Sequence, residues 1–154
     1  MSALNQISGW VRGQSLENAH KVGWFDKLSA WVNGYRFFCG SFTRDITTAT
    51  GTQAVTGIPF RPSAVMFLAG FTAGSEAWSV GIDDSDAPEL IYSRHLVTAD
   101  TVSALAGQSI GIQGTAGNNY LGNINTLDAS GFTISWTKTG APSGTATIYY
   151  LAFR

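Results

Sequence analysis

Side chains able to do chemistry are sparse in this chain, and they gather in few places. Gly107-Gln-Ser-Ile-Gly111 matches the G-x-S-x-G string of a nucleophile elbow. Such an elbow needs a strand-to-helix turn, with an acid and a histidine later in the chain. Both histidines, His20 and His95, precede Ser109, and the residues around it read as strand. A hydrolase triad therefore does not assemble in the required order. Asp83, Asp84, Asp86 and Glu89 crowd four carboxylates into seven residues. Carboxylates this dense can wrap calcium, which takes about six to eight oxygens. Asp and Ser are also the ordinary residues of a turn, because their side chains bond to nearby backbone. The spacing is not that of an EF-hand loop, so a turn is expected and the four acids are weak metal candidates. His95, beside Arg94, is placed to titrate near neutral pH on an open strand face. His20 has only Glu17 at helical spacing, too little for a metal site. Asn118, Asn119 and Tyr120 beside a glycine-rich loop are candidates for glycan contact, since an aromatic ring among adaptable polar groups can stack on a sugar. The plainer reading of that stretch is a hairpin loop. No pair of carboxylates can be set across a cleft as glycoside hydrolysis requires. The expectation is a protein that is not an enzyme and uses no cofactor.

The totals agree. Nine Lys and Arg stand against ten Asp and Glu, for a net charge of −1. Nucleic-acid binding needs a basic patch or stripe, which this balance argues against. The single cysteine, Cys39, excludes an intrachain disulfide framework and a cysteine-rich zinc site. The first residues lack the basic-then-apolar pattern of a signal peptide, and no apolar run approaches the roughly 18 residues of a membrane helix. A soluble protein made in the cytosol is expected, with no membrane partner. Charged residues are only 12%, about half the usual share. Eighteen glycines with many Ser and Thr take their place, which suits many short strands joined by turns.

Two regions emerge. Residues 1–36 hold Trp10, Trp24 and Trp31. Within 16–32, Trp24, Phe25, Leu28, Trp31 and Val32 fall on one stripe of a short amphipathic helix. Ser15 is placed to cap its start and Gly34 its end. A helix this short needs a partner for its apolar face. Residues 1–36 thus read as an anchoring arm, part helical and part extended, with Trp10, Trp24, Phe25, Leu28 and Trp31 as its contact residues.

From residue 37 the period changes to that of strands, and a mostly β domain is expected over 37–154. Strands are expected over 42–48, 52–55, 63–72, 90–97, 109–113 and 120–127, with Trp78, Val80 and Ile82 alternating in another. Residues 63–72 (SAVMFLAGFT) read as a central strand buried on both faces. Residues 98–107 read as a stretch that includes one helical turn. Gly57-Ile-Pro-Phe-Arg-Pro62 is a loop, because two prolines remove ladder donors. At the C-terminus, Phe132, Ile134 and Trp136 form one alternating face and Ala146, Ile148, Tyr150 and Ala152 another. The Gly/Pro/Ser stretch between them predicts an antiparallel hairpin. Roughly seven to nine strands at this spacing predict an antiparallel, jelly-roll-like β-sandwich.

Thr52–Phe67, Ser79–Asp86, Gly131–Trp136 and Gly140–Phe153 together resemble a group of small bacteriophage virion proteins and tail-fibre-type domains. The shared features are an aromatic-Arg-Pro loop leading into an apolar strand, and the closing Gly-Phe-Thr-Ile-Ser-Trp and Thr-Ala-Thr-Ile-Tyr-Tyr-Leu-Ala-Phe segments. The resemblance implies a β-sandwich displayed on the virion, often as a trimer, serving as a capsid decoration or a head or tail fibre. It carries over no catalytic or binding residue. The partners it implies are other virion proteins and sister subunits. A carbohydrate-binding adhesin of the phage tail, touching host glycan, is the alternative.

Overall fold

The computed structural model describes residues 37–71, 77–96, 99–113 and 117–154. The chain divides into two units, Met1–Tyr35 and Arg36–Arg154, and the described residues belong to the second. The expected arm and its contact residues, Trp10, Trp24, Phe25, Leu28 and Trp31, lie outside the described residues.

Ten strands and no helix are present among the described residues: β1 (Phe37–Asp45), β2 (Gly51–Thr56), β3 (Ala64–Phe71), β4 (Ala77–Asp83), β5 (Glu89–Leu96), β6 (Ala99–Ala106), β7 (Ile110–Gln113), β8 (Asn119–Asp128), β9 (Gly131–Thr139) and β10 (Thr145–Phe153). They form a six-stranded sheet in the order β1-β10-β3-β4-β5-β6 and a four-stranded sheet in the order β2-β9-β8-β7. Every pairing is antiparallel.

Alternation decides what is buried. Val65, Phe67, Ala69 and Phe71 of β3 and Ala146, Ile148, Tyr150 and Ala152 of β10 share one core with Phe132, Ile134 and Trp136 of β9. Phe132 is the hub, with its ring edge-on to Phe67 at 5.5 Å and to Tyr150 at 5.3 Å between centroids. Edge-to-face aromatic pairs of this kind add about 0.5–1.5 kcal/mol beyond area burial. The loop 57–62 closes the core, with Ile58, Phe60 and Pro62 buried.

Three expectations are corrected, and the facing of β4, which its alternation left open, is decided. The last two strands are not a hairpin: β9 pairs with β2 and β8 in the smaller sheet, while β10 lies between β1 and β3 in the larger. The segment between them crosses from one sheet to the other, helped by left-handed Gly140 (φ 71) and Gly144 (φ 111) and a buried Pro142. The β1-to-β2 connection crosses beside it. Ile46 N–H donates to the Gly144 carbonyl (2.9 Å) and Lys138 Nζ to the Thr47 carbonyl (2.6 Å), so the two corners are tied together.

Second, β3 is central but not buried on both faces, since Met66 and Leu68 stand exposed. In β4, Trp78 and Ile82 point outward, and Ala77, Ser79, Gly81 and Asp83 point inward. The two sheets approach so closely here that a Cβ on Gly81 would overlap the Ser109 carbonyl, leaving room for small inward residues alone. Third, residues 99–106 form a strand, because continuous pairing of β6 with β5 outweighs the weak strand preference of its Ala, Ser and Asp.

Candidate functional site

Most of the residues with chemical potential turn out to serve the fold. Asp83 ends β4 and is 1% exposed. Its Oδ2 accepts from Ser109 Oγ (2.8 Å) and from the Ile124 backbone N–H (2.6 Å), and its Oδ1 accepts from the Ser85 N–H (2.7 Å). Ile124 lies in β8 at a register shift, so this carboxylate pins the larger sheet to an irregular point of the smaller one. Ser109, the centre of the G-x-S-x-G string, is 0% exposed. Its hydroxyl donates to Asp83, and its backbone N–H donates to the Gly122 carbonyl (2.9 Å). It precedes a strand and not a helix, and its oxygen faces no open space.

The other acids of that turn diverge. Asp84 Oδ1 accepts from the backbone N–H groups of Asp86 (3.0 Å) and Ala87 (2.9 Å). These bonds, Ala87 first, hold its carboxyl below the ordinary value of 3.8. Asp86 is exposed in the turn, and Glu89 starts β5. Ser85 adopts a left-handed conformation (φ 73) inside the turn. Among the described residues no three His, Cys, Asp or Glu side chains come together as metal ligands would. The side chain of His95 and all of His20 lie outside what is described.

Of Asn118, Asn119 and Tyr120, the two asparagines are half-buried and the tyrosine ring is turned into the core. Tyr120 is 0% exposed, tilted against Trp136 at 5.2 Å between ring centroids. Its hydroxyl accepts from Arg44 Nε (2.9 Å), and the Arg44 guanidinium lies 5.4 Å from the Tyr120 ring centroid and 5.5 Å from that of Trp136. The ring fills the space under the tied corners. Asn119 Oδ1 accepts from Gln113 Nε2 (2.7 Å), and Asn118 Oδ1 accepts from the Ala141 N–H (2.8 Å). Both asparagines are thus engaged in holding neighbouring strands and the β9–β10 corner. A shallow cleft between β5–β6 and β7–β8, lined by Tyr92, Leu105, Gln113 and Leu121 among others, presents no carboxylate, histidine or thiol.

The feature that stands out is a surface. Phe37, Met66, Leu68, Trp78, Ile82, Ile91, Val102 and Tyr149 are 40–68% exposed. Strand parity and pairing put all of them on one side of the six-stranded sheet, the side away from the core. The register draws an apolar row across it, Tyr149–Leu68–Val80–Ile91–Ala104, and a second through Leu151–Met66–Ile82. Among the described side chains, the carboxylates of this face, Asp45 and Glu89, stand at its corners, one at the end of β1 and the other at the start of β5. At strand spacing of about 4.8 Å and rise of about 3.3 Å per residue, the face covers on the order of 600–700 Å². Ser41, Thr43, Thr145, Thr147 and Ser93 share that area with the apolar side chains. Sequence reading missed this surface because an apolar residue in a central strand looks the same whether it faces a core or a partner. The available signal was the excess: β3 is apolar on both faces, and the Leu151–Phe153 end of β10 is too.

Comparison of the chain with protein-family models, curated proteins and solved structures finds no match.

Proposed function

We propose that this chain is a non-enzymatic structural protein that works by packing against other subunits of an assembly. Its body is a jelly-roll-like β-sandwich with two unequal layers. The observation that carries this reading is the outer face of the six-stranded sheet, broad, aromatic and, among the described side chains, uncharged except at its corners. Surfaces of that kind are interaction sites, because leaving so much apolar area in water is costly. Aromatic and Met side chains are also what interface centres favour over charges. The engagement of Asp83, Ser109, Asn118, Asn119 and Tyr120 in the fold further supports a structural part over a chemical one. The resemblance of Thr52–Phe67, Ser79–Asp86, Gly131–Trp136 and Gly140–Phe153 to virion domains supports a bacteriophage particle as that assembly, with this chain a decoration or fibre-type component assembled in the host cytoplasm and attached through residues 1–36.

The test is co-sedimentation. Peptides of this chain are expected in particles purified by density gradient, at a fixed ratio to the major coat protein. A version lacking residues 1–32 is expected to stay soluble and β-rich but to be missing from the particles. Full incorporation of the shortened chain overturns the arm assignment, and absence of the intact chain from purified particles overturns the virion reading.

A further inference from the structure

We infer that the outer face of the six-stranded sheet packs against the same face of a second copy of this chain across a two-fold axis. The inference rests on reading that face as an assembly surface and names its occupant. Area is the first argument. A face on the order of 600–700 Å² approaches the roughly 800 Å² that each partner contributes to a standard stable interface.

Charge is the second. A two-fold contact brings a surface against itself, so any charge near its middle meets a like charge. Here the middle row, Tyr149–Leu68–Val80–Ile91–Ala104, carries none. The carboxylates of Asp45 and Glu89 fall at opposite corners, where water still reaches them. The net charge of −1 adds little repulsion between copies. A strongly acidic or basic partner would find no complementary group in the middle row of this face.

Shape is the third argument. Six antiparallel strands make a smoothly twisted surface, and two such surfaces pack well on each other at about 10 Å between backbones. The residues alternate in bulk along the rows, large Leu68 and Ile91 beside smaller Val80 and Ala104, which lets facing rows interdigitate.

Sedimentation of the full chain over a wide concentration range tests this. A dimer is expected. Leu68→Glu, in the middle of the face, is expected to give a monomer with an unchanged far-UV spectrum. Val102→Glu, on the edge strand where it is 68% exposed, is expected to do the same and serves if Leu68→Glu fails to fold. Ser143→Glu, an exposed residue of the β9–β10 connection, is expected to remain a dimer. A dimer or larger oligomer indifferent to both face variants overturns the proposal, as does a trimer broken by them. A monomeric wild-type chain overturns it too. In that case, strong binding of the apolar dye ANS, lost in Leu68→Glu, would show an open face and leave the assembly reading standing with a different protein as partner. A monomer without dye binding would mean a face covered within its own chain, and both readings would fall.

Discussion

Asp83 shows how one buried carboxylate can hold two sheets in register. Three donors converge on it, from Ser85, Ser109 and Ile124, and the Ser109 hydroxyl also reaches the Gly122 carbonyl at 3.3 Å. Removing an acceptor that leaves buried donors unpaired costs about 1–3 kcal/mol for each such group. Asp83→Ala is therefore expected to lose about 3 kcal/mol or more in urea unfolding. Ser109→Ala, which leaves the carboxylate two donors, is expected to lose about 1 kcal/mol. Equal losses would argue against Asp83 as the pin. The exposed acids act differently. Asp45 is held below its ordinary 3.8 by the Thr47 hydroxyl and then the Thr47 N–H, and Asp84 by the Ala87 and Asp86 N–H groups. A carboxyl whose pKa falls on folding stabilises the fold fully above its unfolded value, and that contribution disappears as pH drops through the lowered value. The acid limb of stability should thus steepen below pH 3.8. Asp84→Asn is expected to melt lower than the parent at about pH 6, with the gap narrowing as pH falls below 3.8; a gap independent of pH would remove the carboxylate from the account.

At the scale of elements, Gly81 of β4 marks the closest approach of the sheets. A methyl group there meets the backbone of Ser109 and Glu89, which cannot yield as a side chain tip can. Gly81→Ala is expected to destabilise by about 2 kcal/mol or more, the upper range of overpacking, measured by thermal melting; an unchanged melting temperature would mean that the layers slide apart freely. This same closeness decides which side of β4 faces the core, a point that its alternation leaves open. Trp78, Val80 and Ile82 alternate as predicted, but periodicity tells which residues share a side and not which side is covered. Where nothing else competed, the pattern was legible: Phe132, Ile134 and Trp136 face the core, as do Ala146, Ile148, Tyr150 and Ala152. The missing hairpin has another cause. Gly140–Gly144 carries turn chemistry, but a turn between sheets and a turn within one use the same residues, and the choice depends on β1 and β2, about a hundred residues away in sequence. The burial of Tyr120 is hidden from the sequence for a similar reason, because the Arg44 that donates to its hydroxyl approaches from a distant strand.

The two sheets of the whole described body are unequal. One has six strands and the other four, they contribute to one core, and the broader sheet carries the exposed aromatic and aliphatic side chains. Near neutrality in net charge, such a body has little to keep copies apart. The topology also ties late residues to early ones, since β10 lies between β1 and β3 and completes the larger sheet. Pairings this remote in sequence close slowly, because much chain entropy is lost before any contact rewards it. A nascent polypeptide that has made only its first nine strands has a gap where β10 belongs, with two unsatisfied strand edges flanking it. On the ribosome the larger sheet therefore cannot close piecemeal from the amino end: until Thr145–Phe153 is synthesised and slots between its neighbours, β1 and β3 keep those edges open.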